Sequence, residues 1–151
     1  MPTFELTPSL MREIIMDHYS SPRHKGKPEG EGYISLHTDS VNCIDSFDVY
    51  LKIEKAKIID AVWEGTACTI SSASTDILCD LLIGMDEEKG LYTIQQYLNM
   101  IEEKPYDDSV LEEALVFMNT GKQAARIHCA TMGWDAMKDL INEDKEKHHE
   151  R

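Results

Sequence analysis

Apolar residues near the start of the chain recur at helical spacing. Leu10, Met11, Ile14 and Ile15, continued by His18, fall on one stripe. Thr7-Pro8 supplies an N-cap followed by proline at the first helical position, so a helix is predicted from there to about Tyr19. SSPRHKGKPEGEG, rich in proline, glycine and serine, stops it and reads as a loop. The period then changes to two. Tyr33–Thr38, Phe47–Ile53 and Lys57–Glu64 read as strands, with the clearest alternation in FDVYLKI and IIDAVWEG. The connection EKAK between the last two is of hairpin size, which predicts an antiparallel meander.

From Cys68 onward the period is helical again. Ile70, Ala73, Ile77, Leu78, Leu81 and Leu82 line one face, and Gly84 stands near the stop. Asp86 is placed to cap a helix through LYTIQQYLNMIEE. DDSVLEEALVFM reads as the next helix and ARIHCATMGWDAMKDLINE as the last. The tail, residues 144–151, has no apolar face and is expected to fray. No repeat or linker divides the chain, so residues 1–151 are expected to form one domain. The order helix, strands, helices predicts an α+β fold: a three-stranded antiparallel sheet with several helices packed on one face.

Composition narrows the functions available. The 151 residues are 42% hydrophobic and 28% charged, an ordinary globular balance. The formal charge of −13 repels phosphate backbones and anionic membrane surfaces, so neither nucleic acid nor membrane is an expected partner. No stretch approaches the roughly 20 apolar residues of a membrane span. The N-terminus lacks both a basic n-region and an apolar h-region, so a cytoplasmic location is expected. In that reducing setting, cysteines more often bind metal or do chemistry than form disulfides.

The chain has four cysteines. Cys79 follows Cys68 by three turns of one helix, roughly 16 Å along the axis, too far to share an ion. Its leucine neighbours make it a small core hydrophobe. Cys43, Cys68 and Cys129 all fall at ends of elements. Asp45 follows Cys43 by two and can share its face of an extended segment. His128 directly precedes Cys129. Cys68 falls at a helix N-terminus, where unpaired N–H groups favour a thiolate. Cys43, Asp45, Cys68, His128 and Cys129 are therefore five candidate donors on three segments. Mixed S, O and N donors suit tetrahedral Zn²⁺, and thiolate-rich sets also suit iron–sulfur clusters. Without a CxxC pair, the spacing alone leaves unrelated buried thiols as the other reading.

Four stretches, IIMDHYSSPRHKG, NCIDSF, WEGTACTISSASTDIL and RIHCATMGWDAM, occur in the order seen in the IscU/NifU-N-terminal family of iron–sulfur cluster assembly proteins. The chain resembles that family from about Met11 to Leu140, and its SufU branch most. The long segment between Cys68 and Cys129, including DEEKGLYTIQQYLNMIEE, is similar to the helical insertion of SufU-type proteins. TGKQAARIHCATMGW, with Arg126 at the usual basic position, is similar to their ending. The proline-rich chaperone motif of the IscU branch is not visible before Cys129. Asn42 and Ile44 stand where the family has Pro and Gly around the first cysteine, Ala125 replaces a proline, and His128 is an IscU-branch residue.

The resemblance implies a compact α+β domain with Cys43, Asp45, Cys68 and Cys129 together at one end, binding Zn²⁺ or a nascent cluster. It implies a zinc-dependent sulfur acceptor that takes persulfide sulfur from a SufS-like cysteine desulfurase and passes it to downstream iron–sulfur assembly proteins. Cys43, on a loop, is the expected acceptor. Asp45, Cys68 and Cys129 would hold the metal, with His128 a spare or fourth ligand and Arg126 an anion support. A scaffold carrying iron or a [2Fe–2S] cluster is the alternative, and a non-catalytic structural zinc module a third. A cysteine hydrolase using His128 and Cys129 is disfavoured, because adjacent helical residues point about 100° apart. His18 and Arg23 match the family's first motif and read either as a partner-facing surface or as a capped helix end with a polar loop. His148 and His149 are expected to be solvated.

Overall fold

A computed structural model describes residues 5–41 and 44–149, the last of these by its backbone alone. Helix α1 spans Pro8–Ser20, and the hydroxyl of Thr7 accepts the Leu10 N–H at 3.1 Å, so the predicted cap is real. Strands β1 (Tyr33–Asp39), β2 (Ser46–Glu54) and β3 (Lys57–Thr66) pair antiparallel in the order β1-β2-β3. Lys55 and Ala56 turn β2 into β3, both left-handed at φ 52 and 63, which is the sense of twist that a two-residue hairpin needs. The alternation resolves into an inner face, with Phe47, Val49, Leu51, Ala61 and Trp63 at 1% exposure or less. Helices α2 (Thr69–Leu82), α3 (Glu87–Ile101) and α4 (Ala124–His149) follow.

Helix α2 lies at the centre. Eleven of its residues are buried, among them Ser71, Ser72, Ser74, Thr75 and Asp76. Buried polar groups need partners, and here they tie the elements together. Asp76 accepts from His18 Nδ1 at 2.7 Å, from the backbone N–H groups of Arg23 and His24 at 3.0 and 2.9 Å, and from Trp63 Nε1 at 3.3 Å. One carboxylate thus joins α1, the loop after it, β3 and α2. On the other side, Ser74 Oγ accepts from Trp134 Nε1 at 2.8 Å, and the hydroxyls of Ser74 and Tyr97 both donate to the Ala130 carbonyl. The rings of Tyr97 and Trp134 stack at 3.6 Å, fixing α3 and α4 against α2.

Three features differ from the sequence reading. DDSVLEEALVFM does not form one α-helix; residues 108–122 form short 3₁₀ turns, Asp108–Val110, Glu112–Phe117 and Thr120–Lys122. Leu111, Ala114 and Phe117 are buried at a spacing of three, the period of a 3₁₀ helix, and Glu112 takes φ 44. The backbone from Asp144 on, expected to fray, continues α4 to His149, with Lys145 ion-paired to Glu88 of α3. His18 is neither a partner-facing residue nor a simple helix end. It is fully buried, and its Nε2 meets Glu113 at 3.0 Å.

Burial pushes the His18 pKa down, but its bonds to Asp76 and Glu113 outweigh that and the net shift is upward. Burial likewise pushes Asp76 up, and its four donors outweigh it and bring it down. Asp76→Ala leaves the buried His18 imidazolium with Glu113 alone and three further donors without their acceptor, and is expected to cost about 3–5 kcal/mol in urea unfolding. The raised His18 pKa contributes stability in full below its ordinary 6.5, and that is lost as pH rises through the raised value. The lowered Asp76 pKa contributes in full above its ordinary 3.8, and that is lost as pH falls through the lowered value. Chemical denaturation across pH is therefore expected to show a plateau from about pH 4 to 6.5 and an alkaline decline, with His18→Gln lacking the decline.

Candidate metal centre

Local rules bring the site together. Next to the end of strand β3 stands Gly65, whose φ of 141 suits glycine, and a Cβ there would lie 2.5 Å from the Ser46 carbonyl oxygen. That close approach leads the chain from β3 past the start of β2 and into α2. Cys68 becomes the N-cap of α2, its Sγ accepting the Ser71 N–H at 3.4 Å. Asp45, just before β2, is 1% exposed. Its Oδ1 accepts the Cys68 N–H at 2.7 Å, and its Oδ2 accepts from the Cys129 thiol at 3.6 Å. Cys129 arrives on α4, which runs close to α2 at Gly133; a Cβ at Gly133 would lie 2.3 Å from Thr75 Oγ1.

One carboxylate oxygen and the two sulfurs lie within 4.8 Å of one another. Tetrahedral donors around an ion at about 2.3 Å stand roughly 3.5–3.8 Å apart, so small side-chain shifts bring these three onto one cation. The electrostatics favour it. Burial, together with the neighbouring Cys68 sulfur and Asp45, pushes the Cys129 thiol up to about 12. Three anionic donors at such range oppose ionisation unless a positive charge sits among them.

Of the five donors expected from sequence, Asp45, Cys68 and Cys129 converge. His128 is exposed on α4 and is not part of the group. Cys43 lies outside the described residues, as does Asn42. Ile44 is 65% exposed. Cys79 is fully buried in the core, as its leucine neighbours implied. A cavity of about 500 Å³ opens on the thiols of Cys68 and Cys129, and Arg126 lines it. Arg23 instead pairs with Asp17 at 2.5 Å, and His148 meets Asp144 at 3.3 Å. Sequence reasoning passed over Ser71, whose hydroxyl is 3.4 Å from the Cys68 sulfur. The signal for it was a polar residue three places after an N-cap. It also passed over Arg12, which lines the same cavity.

Known proteins bear on this geometry. The description "NifU-like N terminal domain" matches residues 10–151. The chain is 33% identical over 138 residues to the zinc-dependent sulfurtransferase SufU of Bacillus subtilis, covering 91% of this chain and 92% of that protein. It is 30% identical over 142 residues to the iron–sulfur cluster assembly scaffold protein IscU of Streptococcus pyogenes, covering 93% and 87%. A crystal structure from Fervidobacterium islandicum, of a candidate iron–sulfur cluster assembly scaffold protein for the SUF system, superposes with a TM-score of 0.78 at 26% identity, covering 85% of this chain and 94% of that one. This chain belongs to the NifU-like N-terminal domain family, which includes iron–sulfur cluster assembly proteins.

The geometry predicts that the chain loaded with Zn²⁺ retains about one ion after dialysis and that Cys68→Ser retains close to none, measured by elemental analysis. Cys79→Ala is expected to leave it unchanged.

Proposed function

We propose that this chain is a zinc-dependent sulfur acceptor for a cysteine desulfurase in iron–sulfur cluster assembly. The observation that supports it best is the convergence of Asp45, Cys68 and Cys129 from three segments on one point beside an open cavity. A purely structural zinc site is normally closed by its own side chains. This one borders space that a partner's side chain can enter.

We assign Asp45, Cys68 and Cys129 to holding the ion. We assign Cys43 to accepting sulfur; it stands two residues from Asp45, a chain length of at most about 7 Å. Exposed His128 remains a spare donor. Bound Zn²⁺ would keep the thiols ionised at neutral pH. In the transfer itself, the Cys43 thiolate attacks the outer sulfur of the desulfurase persulfide. A new S–S bond forms on Cys43, the old one breaks, and the desulfurase cysteine leaves as a thiolate. Arg126, on the cavity wall, is placed to offset negative charge on the moving sulfur.

The second reading, a scaffold for a [2Fe–2S] cluster, draws on the same donors and on the likeness to a named scaffold protein. After incubation with desulfurase and cysteine, tryptic mass spectrometry is expected to find the added sulfur on Cys43, and Cys43→Ser is expected to abolish stimulation of desulfurase turnover. Anaerobic reconstitution that instead yields a stable cluster, transferable to an apo-protein, would establish the scaffold. Unchanged turnover with Cys43→Ser would leave only a structural zinc module.

A further inference from the structure

The cavity beside the thiols is lined by charge of one sign. Three arginines fall among the described residues. Arg23 is ion-paired to Asp17, whereas Arg12 and Arg126 form no ion pair among the described residues and both line this cavity. Among the described residues, no carboxylate lines it. In a chain of net charge −13, that is a local reversal of sign at the mouth of the candidate centre. The rest of the wall is apolar. Arg12, Ile15 and Met16 stand at i, i+3 and i+4 on α1, forming one helix face, and Ile70 faces them from α2. Met16 is 48% exposed although it lies beside buried core elements. Ile44, directly before Asp45 in the chain, is 65% exposed and adds aliphatic surface.

A groove with two unpaired guanidiniums, apolar walls and thiols at its floor selects an occupant that brings both negative charge and apolar side chains. Guanidinium forks suit carboxylates in particular. The cavity of about 500 Å³ and the exposed aliphatics of Met16 and Ile44 offer more apolar surface than a small anion would use. We propose that this groove docks an acidic, apolar-tipped segment of the sulfur donor protein, and that Arg12 is the positioning residue that orients it toward the thiols. This rests on the sulfur-acceptor reading. It adds a face of α1 that the metal centre itself does not require.

Arg12 is exposed and lies outside the donor group, so its replacement separates docking from metal binding. The test uses the full zinc-loaded chain and the cysteine desulfurase of the same organism. Affinity comes from calorimetry at low and high salt, together with the concentration dependence of desulfurase stimulation. Arg12→Glu is expected to weaken binding at least tenfold and raise the half-saturating concentration. Zinc content should stay that of the wild type, and Arg12→Lys should restore most of the affinity. The wild-type affinity should fall with salt, and that slope should be smaller in Arg12→Glu. A second variant, Met16→Glu, should weaken binding through the apolar wall.

Equal affinity of Arg12→Glu and wild type would overturn the proposal while leaving the sulfur-acceptor reading intact. So would a variant that binds desulfurase normally but loses saturable sulfur transfer to free cysteine, which would assign the groove to a small carboxylated thiol. A wild-type chain that neither binds nor stimulates the desulfurase would remove the underlying reading itself.

Discussion

The fold turns on a buried carboxylate. Asp76 lies inside α2 with no solvent exposure, yet four donors from three other parts of the chain converge on it. A buried ionised carboxyl is tolerated only when hydrogen bonds and a counter-charge replace its water. His18 supplies the charge, and the loop N–H groups of Arg23 and His24 supply geometry that no side-chain substitution would offer. The result is specific rather than merely adhesive. α1 must present His18, and the loop must run alongside β3 at Trp63, for Asp76 to be satisfied. Since α2 begins at Cys68, the interaction that orients this helix also fixes where its first thiol stands.

The candidate metal centre inverts that logic. Around Asp76, charges are matched within the protein. Around Asp45, they are not: the carboxylate is 1% exposed, and among the described residues it meets the Cys68 N–H and two thiols but no cationic side chain. Without a cation, the sensible state is protonated sulfur, and the Cys129 thiol donating to Asp45 expresses it. Loading a cation must therefore expel protons, so metal affinity should follow pH. The scaffold bears this local mismatch because the packing beneath is over-determined. Ala130, next to Cys129, has its carbonyl held by two hydroxyls, and Gly133 admits α2 within contact of the α4 backbone.

Much of this was legible in the sequence, and the gaps have physical causes. Strands announced themselves because one face is buried and the period of two is unambiguous. The α1 cap and the hairpin rested on local chemistry, Thr7-Pro8 and a short polar connection. The stretch 107–118 was misread because Leu111, Ala114 and Phe117 repeat at three, close enough to 3.6 to pass for an α-helix over so few turns. The end of α4 was missed because a polar segment can stay helical when an ion pair such as Lys145–Glu88 anchors it, and nothing local records that partner. His18 and Asp76 are 58 positions apart, so neither residue's neighbours reveal the bond. At the centre, position at element ends singled out Asp45, Cys68 and Cys129. It singled out His128 equally, because adjacency in sequence does not say which side of a helix faces the site.

These two arrangements are mechanically linked through α1. The helix carries His18 on its buried side and Arg12, Ile15 and Met16 on the side that borders the thiol cavity. A helix is stiff over such a length, so fixing one face fixes the other. The ion pair with Asp76 sets the rotation of α1 about its axis, and with it the distance from the Arg12 guanidinium to the sulfurs. A rotation of even 20–30° would carry a long side chain several ångströms at its tip, as a radius of about 10 Å dictates. The buried histidine is therefore as much a part of the cavity's shape as the residues that line it.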